Sequence, residues 1–140
     1  METSDVLRHQ KIKRLTAQHT GKVADAAMGL WAQVATQIIS IVGEGGFDSL
    51  YARSVFLTQS TFPWLAANSA SLQADHRFAH LKMSLEGQTP ALARDANSLL
   101  LITFTDILAS LVGEPLTARI LDSAWGSEAQ DMAGKEFKNE

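Results

Sequence analysis

The chain has 140 residues, of which 46% are hydrophobic, 19% charged and 7% aromatic, and its formal net charge is -3. This composition is typical of one globular domain with its own hydrophobic core, and it excludes a disordered or collagen-like protein. Because the chain contains no cysteine, disulfide frameworks, thiolate catalysis and cysteine-ligated metal sites are excluded as well. No segment has the pattern of a signal peptide or the uninterrupted length of a membrane span, so we expect a soluble, cytoplasmic protein without membrane contact.

Apolar residues recur every three or four positions along most of the chain, which is the period of an amphipathic helix and not of a strand. In chain order, the predicted helices cover approximately residues 3–18, 20–42, 47–61, 69–86, 89–112 and 116–125. We therefore expect an all-α protein, a compact bundle of five or six helices. Residues 1–126 are predicted to form its single domain, and the polar residues 127–140 a flexible C-terminal tail.

Glycine and proline mark the ends of the two longest predicted helices. Thr89 is a residue type favoured at N-caps, and Pro90 follows it at the first helical position. Gly43 and Gly113 come directly after the last apolar residues of the two helices, and Gly87 closes the helix before Thr89. Since glycine adopts positive φ angles without steric cost, we predict left-handed C-caps at Gly43 and Gly113.

The sequence also repeats at an offset of half its length. Residues 40–44, Ser-Ile-Val-Gly-Glu, return 70 positions later as residues 110–114, Ser-Leu-Val-Gly-Glu. After a four-residue excess in the first half, a second pair of similar segments follows, residues 50–55 and 116–121. This pattern favours two tandem pseudo-repeats of about 70 residues. The alternative is that two unrelated helix ends both acquired glycine for capping.

Basic side chains cluster in the first predicted helix. The first 22 residues contain five Lys and Arg against two Asp and Glu, whereas the rest of the chain has an excess of acidic residues. Opposite charges in the two parts attract each other, within one molecule or between two copies. The cluster is also a candidate contact for nucleic acid, a minor alternative because stacking aromatics and a recognition-helix pattern are missing. The cluster consists of Arg8, Lys11, Lys13 and Arg14.

The segment Phe78–Ser84 resembles the phosphoacceptor stretch of histidine phosphotransfer domains, with His80 as phosphoacceptor and Lys82 as the nearby cation. That family places lysine three and glycine four residues after the histidine, whereas Lys82 follows His80 by two and serine stands at four. This partial likeness gives an alternative function and no family membership. His76 and His80 lie one helical turn apart, but a third ligand is missing, so we predict no metal site.

Two further features are candidates for an interaction surface. Asp106 lies inside an apolar helix with Thr103 and Ser110 on its side, a narrow polar stripe that we expect to face water or the edge of a partner. Phe62 and Trp64 flank a proline between the two halves. We expect both aromatic side chains to insert into the bundle, and the alternative is an exposed docking patch.

No motif for a nucleophile, an acid–base pair or a phosphate-binding loop occurs in the sequence, so we expect no enzymatic activity and no cofactor. The leading expectation is a non-catalytic helical module for protein interaction or regulation, of the kind used as signalling adaptors. Its partner is then another protein. A homodimer is also expected, because the aliphatic content exceeds what one small bundle needs to bury.

Overall fold

A computed structural model describes residues 4–17, 23–65 and 78–137, and it describes side chains within 6–17, 23–65 and 78–126. These parts of the chain contain five α-helices and no strand, which confirms the all-α prediction. The helices are α1 Ser4–Ala17, α2 Val23–Thr58, α3 Ala79–Glu86, α4 Pro90–Val112 and α5 Glu114–Phe137.

The N-terminus of α4 is capped as its sequence predicts. Thr89 has an extended backbone, and its Oγ1 accepts a hydrogen bond of 3.2 Å from the backbone N–H of Leu92. Pro90 occupies the first turn, where its missing N–H leaves no intrahelical bond unmade. The helix therefore begins where the local chemistry satisfies its free backbone donors.

The two long apolar helical segments, residues 23–42 of α2 and residues 90–112 of α4, end at glycines with nearly the same backbone geometry. Gly43 has φ 82° and ψ 168°, and Gly113 has φ 94° and ψ 155°. The positive φ that the sequence predicts is confirmed at both sites, whereas the ψ angles are extended and differ from the value of about 47° in a left-handed helix. Only glycine adopts this combination readily, so each glycine makes a sharp corner between two helical segments.

Each corner occupies a single residue, because helix resumes at once on its far side. In α2 the corner separates residues 23–42 from residues 44–58, so the second segment begins at Glu44 and not near Phe47 as the sequence predicted. At the second corner, the N–H of Gly113 donates to the carbonyl of Ala109, and its own carbonyl accepts from the N–H of Thr117. The same residue thus closes α4 and opens α5.

Helices α2 and α4 run side by side in the same direction. The first residues of both helices, Val23 and Pro90 among them, line one cavity of about 400 Å³, and Trp31 of α2 meets Phe104 of α4 farther along. After the corners the chain returns along the bundle, and Trp125 of α5 donates its indole N–H to the carbonyl of Leu30. The four central segments therefore form two helical hairpins packed against each other.

Aromatic side chains fill the centre of the bundle. The ring centroid of Trp31 lies 5.3 Å from those of Tyr51 and Phe104, in both cases edge to face. Phe47 lies 5.4 Å from Phe104 and 6.0 Å from Tyr51. The indole N–H of Trp31 donates to the buried amide oxygen of Asn97 at 2.8 Å, so these two polar groups of the core satisfy each other.

The short helices lie on the outside, each against the other half of the chain. Helix α1 packs on α4 and α5, whereas α3 packs mainly on α2. The sequence placed the start of this third helix near Ser69, but the described helix begins at Ala79, and residues 66–77 lie outside the described parts. Its C-cap, Gly87, has φ -79° and thus needs no special freedom of glycine.

Helix α5 continues beyond Trp125, where the sequence placed its end, to Phe137. The flexibility expected for residues 127–140 stays a prediction. By length and composition, α2 and α4 are apolar enough to cross a membrane, a test that core helices of soluble proteins also pass. In this fold both helices contribute to the buried core.

Candidate functional site

The basic side of α1 faces the acidic corner between α4 and α5. Arg8 is buried, with 7% of its surface exposed, and its guanidinium holds Glu114 in a two-point contact, Nε–Oε1 3.3 Å and Nη2–Oε2 2.6 Å. Its Nη1 donates to Oγ1 of Thr105 at 2.8 Å and to Oδ1 of Asp106 at 2.7 Å. We call Arg8 with these three partners the Arg8 cluster.

The electrostatics of this cluster keep Arg8 charged. Burial by itself lowers the pKa of Arg8, but its hydrogen bonds to Glu114 and Asp106 and the attraction of the two carboxylates outweigh that effect and raise the pKa above the ordinary value. Removing either carboxylate would leave a buried cation with fewer partners, which is costly in free energy.

Two neighbouring side chains of α1 also contact acidic residues of the bundle. Nε2 of His9 lies 2.7 Å from Oδ1 of Asp106, and Nζ of Lys11 lies 2.6 Å from Oδ1 of Asp122 on α5. Asp106 therefore faces α1, and the partner edge that the polar stripe was expected to meet belongs to the same chain. Arg8, Lys11 and Asp106, named as candidates for an intermolecular surface, are engaged in holding α1 in place.

The other two cations of the basic helix have a different environment. Lys13 and Arg14 are exposed and form no ion pair with any described residue. Lys13 lies at the edge of an open groove of about 430 Å³ between α1, α4 and the turn after α2, which we call the α1–α4 groove. The basic helix is thus divided into a half that pairs with the bundle and a half that remains accessible.

The α1–α4 groove combines an apolar floor with a charged rim. Its apolar residues are Ala17, Phe62, Leu99 and Ile102. Its polar residues include Lys13, Thr61, Arg94, Asp95 and Ser98. Neither Lys13 nor Arg94 pairs with a described acidic side chain, and Asp95 likewise has no described ion pair, so the rim has one more free cation than free anions.

Phe62 and Trp64 take intermediate positions between core and surface. Both are half-buried and pack against the core, and their rings meet edge to face at 5.7 Å. Leu65, directly after them, is fully buried and anchors the turn. Phe62 also lines the α1–α4 groove, so part of this half-buried side chain is accessible there.

The environment of His80 gives less support to phosphotransfer chemistry. His80 is half-buried on α3, and Nζ of Lys82 lies 3.4 Å from Oδ1 of Asp25 on α2. This pairing directs the lysine charge to a carboxylate, away from a phosphoryl group on the histidine. His76 lies outside the described residues. Within the described part of the chain, no three His, Cys, Asp or Glu side chains are grouped so that they could hold a metal ion.

Two residues of these sites have no signal in the sequence. Arg94 stands one residue before Asp95 in an unremarkable helical turn, and Glu114 is conspicuous only as the last residue of the repeated segment. Comparisons of the chain with protein-family models, with curated proteins and with solved structures found no match. The function is therefore inferred from the geometry of the described residues.

Proposed function

We propose that this chain is a non-catalytic helical module that binds another protein through the α1–α4 groove. The observation that carries the proposal is the convergence of Lys13 and Phe62, 49 residues apart in the chain, on one open groove together with Arg94. The sequence names both as candidates for independent reasons: Lys13 belongs to a basic cluster, and Phe62 stands beside a proline, where a docking patch was the alternative to insertion into the bundle.

The physical argument for this groove is that it combines the two properties of an energetic hot spot. A half-buried aromatic ring and two aliphatic side chains provide apolar surface that a partner can remove from water. Unpaired cations at the rim accelerate the encounter with an acidic partner and orient it. The ion pairs of the Arg8 cluster hold α1 on the bundle, and they support one wall of the groove through that helix.

Two alternative functions have less support. Arg8 and Lys11 form intramolecular ion pairs, so only Lys13 and Arg14 of the basic cluster remain exposed for nucleic-acid binding through the first helix. Phosphotransfer through His80 has to proceed beside a lysine that is already paired with Asp25. Transfer of label from a phosphorylated response regulator, abolished by His80→Gln, would establish the phosphotransfer alternative instead of ours.

Protein capture with matched variants tests the proposed function. Tagged wild-type protein is incubated with lysate from cells that naturally contain it, and bound proteins are quantified by mass spectrometry. We expect Lys13→Glu and Phe62→Ala each to reduce the same bound protein at least about fivefold, since charge reversal and hot-spot truncation cost about 1 kcal/mol or more. Arg119→Glu, at an exposed arginine of α5 outside the groove, should leave capture unchanged.

Equal capture by all variants would contradict the proposal, provided that circular dichroism shows each variant to be folded. Capture of untagged copies of this same chain from the lysate would instead indicate the homodimer that the sequence predicts. The proposed site of action is the cytoplasm, and fluorescence microscopy of the tagged chain tests this location.

We also propose that the chain arose by duplication of a unit of about 70 residues. Three observations support this: the corners at Gly43 and Gly113 share one unusual backbone geometry, each corner follows a long apolar helix, and each short outer helix packs on the long helix of the other half. Arg53 and Arg119 are both exposed on the segments after the corners, ten residues beyond Gly43 and six beyond Gly113, which are corresponding positions in the sequence once the four-residue excess of the first half is allowed for. Unequal costs of mutating the two corner glycines, tested below, would argue against equivalent halves.

A further inference from the structure

We infer that the partner bound in the α1–α4 groove presents an acidic amphipathic helix. This inference rests on the proposed function and specifies the chemistry of the partner. The reasons are the sign of the free charges at the rim, the apolar character of the floor, and the size of the groove.

The charges at the rim favour an acidic partner over a basic one. Lys13 projects from α1 and Arg94 from α4, so free cations stand on two different helices that border the groove. Asp95 is the free acidic residue at this rim. A carboxylate of the partner could pair with either cation without first breaking an ion pair between described residues, whereas a basic side chain would face two like charges and one carboxylate.

The floor requires an apolar stripe on the same segment. Phe62, Leu99 and Ile102 are all half-buried, and they lose their remaining contact with water only if apolar side chains enter the groove. A phosphate backbone of nucleic acid would pair with the cations and leave this floor exposed to water. The floor therefore favours a peptide over a nucleic acid.

The size of the groove favours a helix that lies across it. A volume of about 430 Å³ is at the small end of the range of ligand pockets, enough for a few side chains and too little for a folded segment. An amphipathic helix inserts a few anchors from one stripe and keeps its backbone hydrogen bonds satisfied outside the groove. Carboxylates one turn from the stripe would then lie beside the rim, where Lys13 and Arg94 are.

A synthetic peptide is the probe for this inference. It is a helical peptide of about 14 residues with leucines at i, i+3, i+4 and i+7 and glutamates at most other positions. A matched peptide carries lysine in place of each glutamate. Binding of both peptides to the full chain is measured by fluorescence anisotropy at low and at physiological salt, with an unlabelled DNA duplex as competitor.

We expect the acidic peptide to bind and the basic peptide to bind at least about tenfold more weakly. Lys13→Glu and Arg94→Glu should each weaken the acidic peptide about fivefold, and the double charge reversal should prefer the basic peptide. Arg119→Glu is the matched control and should change neither affinity. Phe62→Ala should weaken binding of the acidic peptide as well. Circular dichroism of the variant without peptide confirms beforehand that it is folded.

Three results would overturn the inference: equal affinity of the two peptides, no binding of the acidic peptide, or displacement by DNA with unchanged affinity in Phe62→Ala. Two further outcomes distinguish failure of this inference from failure of the proposed function. If neither peptide binds while Lys13→Glu and Phe62→Ala still abolish capture of the cellular partner, the groove is the binding site and its partner is not an acidic helix. If those variants capture normally, the groove is not the binding site.

Discussion

The buried guanidinium of Arg8 determines how the first helix is attached. Helix α1 contributes few large side chains to the core, Ile12 and Leu15 among the described residues, so apolar burial alone gives it a modest hold. Arg8 adds four hydrogen bonds to three residues of α4 and α5, and a planar guanidinium makes such a multipoint contact where a lysine could not.

Replacing Arg8 by methionine tests this role. Arg8→Met keeps an unbranched side chain but leaves Asp106 and Glu114 without their cation. Because both carboxylates keep about a third or more of their surface exposed, at 46% and 32%, water compensates part of the loss. We expect the free energy of unfolding in urea to fall by about 2 kcal/mol.

The matched control is Arg119→Met, at an exposed arginine that forms no ion pair with a described residue, with an expected change below about 0.5 kcal/mol. Equal stability of the two variants would mean that α1 is held by its apolar contacts alone.

Tyr51 offers a spectroscopic measure of the core because it is the single tyrosine of the chain. Burial raises the pKa of Tyr51 above its ordinary value, so the folded protein keeps the phenol neutral at pH values where the unfolded chain ionises it. Below pH ~10 the group contributes no pH dependence. Above it, the free energy of unfolding should fall by up to about 1.4 kcal/mol per pH unit.

Absorbance at the tyrosinate band should therefore stay low until the protein unfolds in alkali, and Tyr51→Phe should lack this part of the alkaline loss of stability. A tyrosinate signal that appears near pH ~10 with full helicity retained would show that Tyr51 is accessible to water in the folded state.

At the scale of the helices, the sequence predicts helix ends correctly where capping residues and glycines determine them. Thr89 and Pro90 start α4 as predicted, and Gly43 and Gly113 break the chain where their positions indicated. The extended ψ at the corners was not predictable from the glycines, because it depends on the direction in which the following helix leaves. The sequence places the end of α5 too early because residues 127–140 are polar and have only Met132 and Phe137 as large apolar residues, a composition that predicts a tail.

The corner glycines give a prediction at this scale. Gly43→Ala and Gly113→Ala should each destabilise the protein by about 1–3 kcal/mol, because a Cβ is strained at these φ and ψ angles whatever space surrounds it. The two costs should agree if the halves are equivalent. Gly29→Ala is the control, a helical site with nothing within 4 Å of the new Cβ, and it should stabilise the helix by up to about 1 kcal/mol.

Thermal or urea unfolding followed by circular dichroism measures all three variants. If Gly43→Ala or Gly113→Ala were as stable as Gly29→Ala, the corner would have relaxed to another backbone geometry, and the tight helix-to-helix turn would not depend on glycine.

At the scale of the whole molecule, the candidate site depends on contacts between distant parts of the chain. Lys13 and Phe62 could be named from local patterns, but their convergence requires α1 to lie across α4. That placement is set by Arg8, whose partners are 97 to 106 residues away in the chain. A single sequence carries no signal for such pairs, and Arg94 therefore could not be recognised before the fold was known.

The same long-range placement explains why half of the basic cluster was misjudged. A charged residue in a polar helix normally faces water, and this reasoning applies to Lys13 and Arg14. Arg8 and Lys11 lie on the side of α1 that contacts α4 and α5, where they pair with acidic side chains of α5. The sequence predicts attraction between the basic first helix and the acidic remainder of the chain. Within one molecule, these ion pairs are that attraction.

Site-specific crosslinking tests the proposed binding surface most directly. A photoreactive amino acid is placed at Thr61, an exposed position of the α1–α4 groove, and for comparison at Ala32, an exposed position of α2 outside it. After illumination in intact cells, crosslinked products are resolved and identified by mass spectrometry. We predict one discrete protein partner crosslinked from Thr61, absent when Lys13→Glu is added, and none from Ala32. Equal crosslinking from both positions, or a product at Thr61 that Lys13→Glu does not change, would contradict binding through the groove.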